Sequence, residues 1–225
     1  MPFILLISLI VIHELGHFLC AIIFKVEVDK IYIYPFGGIS KFNLSLNEDL
    51  YKEFLILIMG PLFQFVFYII LKNISYFYNY SNLLTVYNYT ILLFNLLPIY
   101  PLDGGKLLNI ILSFNISFKR SLSMTLIISY LTIVILFFYL LIKEPSINIL
   151  VIVSFLIYKV NLEYKKRKYM LDKFLLERYL NKYNFKKRKK VTKLDDFMRN
   201  RYHIIKIGDK YYTEREMLIK KFVNF

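Results

Sequence analysis

The sequence predicts an all-α polytopic membrane protein of about five transmembrane helices, with a small β-hairpin after the first and a small cytoplasmic α/β tail. Composition is the first reason. Hydrophobic residues make up 57% of the 225 residues, with 21 Phe and 20 Tyr, and mean hydropathy is +0.49, well above a soluble domain. The second reason is the spacing of apolar runs long enough to span, near 3–24, 54–72, 83–102, 122–142 and 146–162. The third is the charge. Residues 1–158 hold nine Lys and Arg against eight Asp and Glu, whereas residues 159–225 hold 21 against eight. A basic excess after the last apolar run keeps that segment on the cytoplasmic side.

The first run, Phe3 to Phe24, contains His13-Glu14-Leu15-Gly16-His17, with two of the chain's three histidines. On a helix, His13 and His17 share one face. That spacing lets two imidazoles hold one zinc ion, with Glu14 beside it to take a proton from the attacking water. Two histidines and a glutamate are costly in a bilayer unless they have work there. Cys20 follows one turn later and reads as a small packing residue. As the single cysteine, it excludes an intrachain disulfide. Met1-Pro2-Phe3 brings no basic residue and no cleavage pattern, so a further helix is expected upstream.

Between the first two runs, Val28, Ile31 and Ile33, then Phe36-Gly37-Gly38, then Ile39, Phe42 and Leu44 predict a hairpin turning at the glycines. An ordinary interfacial loop is the plainer reading. A hairpin edge here could pair with an extended substrate strand, which makes Phe36, Gly37 and Gly38 candidate substrate-binding residues. Gly60-Pro61 interrupts the second run, as a kink or as a close-packing point.

The third run ends in Asn95-Leu96-Leu97-Pro98-Ile99-Tyr100-Pro101-Leu102-Asp103-Gly104-Gly105. Two prolines and two glycines break the helix at membrane depth, which is tolerated only inside protein or beside a cavity. Catalytic zinc needs three protein ligands and an open position. Besides Glu14, Asp103 is the carboxylate that falls within an apolar run, so it is the candidate third ligand. His203 lies far along the chain in the tail and is not.

Residues 1–162 read as the membrane domain, 163–190 as a basic amphipathic linker and 191–225 as the tail. The linker carries Lys165-Lys166-Arg167-Lys168 and Lys186 to Lys190 around Met170, Phe174, Tyr179 and Leu180. A basic helix beside a membrane contacts anionic headgroups of the lipid bilayer. No nucleic-acid motif is present, so nucleic acid is not an expected partner. In the tail, Leu194 to Tyr202 reads as a helix, His203 to Ile207 as a strand and Gly208-Asp209 as a turn. Thr213 reads as the cap of a last helix.

Taken together, His13-Glu14-Leu15-Gly16-His17 and Leu102-Asp103-Gly104 resemble the site-2 protease family of intramembrane zinc metalloproteases. Pro35-Phe36-Gly37-Gly38, Gly60-Pro61-Leu62, the segment Asn95 to Lys106 and Phe174 to Tyr179 narrow the resemblance to its sporulation branch. The resemblance implies Zn²⁺ held by His13, His17 and Asp103, with Glu14 as general base and Asn95 at the oxyanion or substrate. It further implies a membrane-associated substrate, a pro-sigma factor, and inhibitory membrane partners. The tail resembles half of a CBS domain, which would make a nucleotide its ligand. Self-association is left open. Two other readings stand beside this one. A noncatalytic client-binding protein should have lost Glu14 or a ligand, and a zinc transporter should carry polar ligands on several runs.

Overall fold

The computed structural model describes residues 2–26, 28–34, 37–42, 45–143 and 147–223. It is mostly helical, with a small C-terminal sheet, and divides into two compact units. One comprises Met1–Leu44 and Tyr51–Leu97, the other Ser45–Leu50 and Pro98–Phe225.

In the first unit, α1 (Pro2–Ile23) is apolar apart from Ser8, His13, Glu14 and His17, and ends in a Schellman arrangement. Val26 N–H donates to Ala21 O at 2.9 Å and Lys25 N–H to Ile22 O at 2.9 Å, with Lys25 at φ 56°. The chain then enters β1 (Val28–Tyr34) and β2 (Gly37–Phe42), an antiparallel pair. The hairpin is therefore present. Its glycines are not the turn, however: Gly37 pairs with Tyr34 and Gly38 with Ile33, inside the ladder. Phe36 lies outside the described residues.

The second apolar run forms α2 (Leu50–Lys72), which stays helical through Pro61. A 3-10 segment, Ser75–Tyr80, leads into α3 (Ser81–Leu96). Leu5, Leu9 and Ile10 of α1 pack with Tyr68 and Leu71 of α2 and with Leu84 and Ile91 of α3. Cys20 is buried with Ala21 against Ile56, in keeping with a packing role.

The second unit begins where the third apolar run breaks. Residues 97–102 are not helical, and Tyr100-Pro101 is a cis peptide. Helix resumes at α4 (Asp103–Ser113) and continues in α5 (Phe118–Lys143) and α6 (Ile147–Leu180). α6 is one helix of 34 residues. It runs on through the charged residues 163–180, where the sequence suggested a separate linker. That stretch has no Gly or Pro, and its Lys, Glu, Leu, Met and Arg residues favour helix. Among the described residues, α1, α2 and α5 are long and apolar enough to cross a membrane.

The tail is a three-stranded sheet ordered β3 (Arg188–Val191), β4 (Tyr202–Ile207), β5 (Lys210–Thr213). β3 is parallel to β4, and β4 is antiparallel to β5 through a turn with Gly208 at φ 60°. The helix expected over Leu194 to Tyr202 reduces to a 3-10 turn, Leu194–Asp196. Thr213 does cap the final α7 (Glu214–Phe222), in a reciprocal capping box with Glu216.

Arg178, near the end of α6, is buried at the centre of this unit. Its guanidinium donates to Glu214 Oε1 at 2.9 Å, to Asn47 Oδ1 at 2.5 Å and to the carbonyls of Met198, Arg199 and Arg201. It also lies over the rings of Phe174 and Phe185. A buried guanidinium survives only when its donors are satisfied in this way.

Candidate metal centre

His13 and His17 lie one turn apart on α1, both buried, at 1% and 2% exposure. Their Nε2 atoms are 3.2 Å apart. One oxygen of Glu14 and one nitrogen from each histidine fall within 4.8 Å of one another. Glu14 is 4% exposed, so the whole cluster is inside protein.

Other helices set the ring orientations. His13 Nδ1 lies 2.9 Å from Gln64 Oε1 on α2. Gln64 Nε2 in turn donates to Asn88 Oδ1 and to Asn88 O on α3, both at 3.0 Å. Because the Gln64 amide donates to Asn88, its oxygen must be the acceptor facing His13. His13 therefore carries its proton on Nδ1 and its lone pair on Nε2. His17 Nδ1 lies 2.8 Å from the carbonyl of Ile56, which only accepts, so the same tautomer follows. Two lone pairs 3.2 Å apart repel unless a cation lies with them. A tetrahedral zinc with bonds of about 2.05 Å places nitrogen pairs about 3.3 Å apart, so the donor set fits zinc.

Two glycines make this approach possible. A Cβ at Gly16 would lie 2.4 Å from Met59 O, and one at Gly60 would lie 2.2 Å from His17 Nε2. Gly60 thus acts as a packing point, and what it packs on is His17.

The other expected site residues take separate positions. Asn95 is buried on α3, and its Nδ2 finds no hydrogen-bond partner among the described residues. Asp103 is the first residue of α4, in the second unit, buried to 8% exposure with Lys106 Nζ at 3.4 Å. His203 sits in the tail, on Glu214 and Met198. Gln64, Asn88 and the Ile56 carbonyl were not anticipated. One signal was available: Gln64 is the chain's single glutamine, set in an apolar run four residues after Gly60.

An apolar helix bearing a buried His–Glu–His cluster, its imidazoles oriented from two neighbouring helices, defines a membrane protein with a metal centre. The model of peptidase family M50 matches residues 1–80 and 70–139, and the chain belongs to that family. It is 36% identical over 183 residues to stage IV sporulation protein FB of Bacillus subtilis (strain 168), covering 79% of this chain and 63% of that protein. It is also 36% identical over 165 residues to a zinc metalloprotease of Methanocaldococcus jannaschii, covering 69% of this chain and 47% of that one. The chain thus spans less than two thirds of either relative. The solved structure of a site-2 protease from the same archaeon superposes with a TM-score of 0.58 at 31% identity, over 71% of this chain and 76% of that one. The archaeal relative is named a zinc metalloprotease, and His13, Glu14 and His17 of this chain could hold a metal ion.

Proposed function

We propose that the protein is an intramembrane zinc metalloprotease that hydrolyses a peptide bond near the cytoplasmic face. The carrying observation is the His13–Glu14–His17 cluster, buried in an apolar helix with both Nδ1 atoms held by acceptors. His13 and His17 would hold the metal through Nε2, with Asp103 as the third ligand. When bound, zinc polarises the scissile carbonyl and acidifies the attacking water. Glu14 accepts that water's proton and delivers it to the leaving amine. Its burial keeps bulk water away from the transfer.

A substrate helix must unwind before its backbone is exposed. The hairpin around Phe36, Gly37 and Gly38 offers an edge for the extended chain. Asn95, with its buried amide donor, is suited to hold the scissile carbonyl or a neighbouring one.

Five spans, with the basic tail cytoplasmic, accord with Lys25, Lys30, Lys41, Lys52, Lys119 and Arg120 all falling on that side. Similarity to a sporulation protein supports a membrane-associated pro-sigma factor as substrate, in a sporulating cell. The tail is read as half of a CBS domain with a nucleotide as its ligand, and inhibitory membrane partners are part of the same reading.

The test is reconstitution with a candidate membrane-associated pro-sigma factor, comparing wild type with Glu14→Gln. The variant keeps the shape and the zinc but cannot accept a proton, so cleavage should fall by at least about 10²-fold. Zinc-loaded wild type that binds the substrate and leaves it intact would instead favour the client-binding reading.

A further inference from the structure

Ser117, the residue before α5, is buried to 6% exposure, yet among the described residues its Oγ has no hydrogen-bond partner. An unsatisfied buried hydroxyl is costly, so its environment calls for an explanation. Ser117 lines a cavity of about 310 Å³ with Arg120, Lys189, Lys190, Thr192 and Asp196. A second cavity of about 640 Å³ shares Arg120, Thr192 and Asp196, and adds Lys119, Lys193, Met124 and Asp195 to the walls. Together these walls carry five basic and two acidic side chains. Both carboxylates are engaged, Asp195 by Lys119 and Asp196 by Arg120. The three lysines on the β3 side tip the balance toward an anion. The first-turn amides of α5 add positive potential at the same end.

Depth identifies the anion. α5 has 26 residues and is about 39 Å long, against about 30 Å of hydrocarbon in a bilayer. That excess, with Lys119 and Arg120 in the first turn, puts this end of a membrane-crossing α5 at the level of lipid headgroups. From the cavity wall, Met124, Ile127, Leu131 and Val134 follow at three- and four-residue spacing down one face of the helix. They are 45%, 59%, 57% and 52% exposed. A basic cavity standing above an exposed apolar track matches an anionic phospholipid, with its phosphate in the cavity and its chain on the track. A soluble phosphate would use the cavity and leave the track unused.

We propose that the cavity at Ser117 and Arg120 binds the phosphate of an anionic phospholipid whose acyl chain lies along Met124 to Val134. The lipid would tie β3 of the tail to the mouth of α5. The inference does not depend on the proteolytic reading.

The full chain in detergent, offered phosphatidylglycerol or phosphatidylcholine, is examined by native mass spectrometry. Phosphatidylglycerol should be retained at least about tenfold better. Combined Arg120→Gln, Lys189→Gln and Lys190→Gln should remove that preference. Combined Lys206→Gln, Lys210→Gln and Arg215→Gln, an equal loss of charge at exposed tail positions outside both cavities, should keep it. Met124→Glu puts a repelling charge on an exposed rim position without touching the buried residues, and should weaken retention on its own. Equal loss in both triple variants would show that only net charge matters, and would overturn the site. Inorganic phosphate binding that depends on the same residues, with no lipid preference, would overturn the lipid assignment.

Discussion

Gln64 Oε1 accepts from His13 Nδ1 across 2.9 Å, between two different helices. Gln64 is itself fixed by Asn88, so α1, α2 and α3 jointly decide which nitrogen of His13 meets the metal. Removing the acceptor leaves the ring free to turn, or leaves a buried N–H unpaired. Gln64→Leu should therefore weaken zinc affinity by about 10- to 100-fold. Chelator competition on the purified protein measures this directly. Gln64→Glu keeps an acceptor and should lose less; equal zinc affinity in Gln64→Leu and wild type would remove Gln64 from the site.

Gly60 tests the same geometry through space rather than polarity. A methyl group there would sit 2.2 Å from His17 Nε2, so the ring must move. Gly60→Ala should lose most of its zinc, while Leu62→Ala, at a position 46% exposed on the same helix, should keep it. Metal analysis of both purified variants gives the answer.

The third ligand is testable by charge removal at nearly constant size. If Asp103 completes the site, Asp103→Asn should lower zinc content and turnover together. Full zinc and normal cleavage in that variant would require another ligand.

The tail carries a pH dependence of its own. His203 Nε2 accepts from Met198 N–H at 3.0 Å, and Nδ1 faces Glu214 Oε1 at 2.6 Å. Both contacts are satisfied by the neutral, Nδ1-protonated ring. Burial lowers the His203 pKa below its usual value of 6.5, outweighing the opposing pull of Glu214. The unfolded tail thus takes up a proton that the folded tail resists, so stability falls as pH drops below about 6.5 and is fully present above it. Protection of the β4 amides in the intact protein, corrected for the slower intrinsic exchange at low pH, should fall between pH 7.5 and 5.5. His203→Gln should abolish that fall.

What could be read from the sequence was local. The His13–His17 spacing is a property of one helix turn, and the Thr213 cap needs only four residues. The hairpin showed in its β-branched alternation, but the glycines misled, because a Gly-Gly pair fits a ladder position as well as a turn. Gln64, Asn88 and the Ile56 carbonyl were hidden because their roles depend on how three helices pack. β3 was hidden because Arg188-Lys189-Lys190 reads as a solvated charge run, and its partner strand lies ten residues on. The expected helix over 194–202 failed where Asp195 and Asp196 pair with Lys119 and Arg120 of α5 and Asn200 donates to the Phe114 carbonyl, contacts that only the packed unit supplies.

Residues 45–47, just after the hairpin in sequence, belong structurally to the tail's own unit. Glu177 Oε2 accepts from Ser45 Oγ and Leu46 N–H, Arg199 Nε donates to Leu46 O, and Arg178 Nε donates to Asn47 Oδ1. The tail is consequently not a detachable appendage. A chimaera that exchanged everything after residue 162 would strand an early loop without its anchors. Transplanting the tail between relatives means carrying Ser45, Leu46 and Asn47 along with it, as one discontinuous cassette.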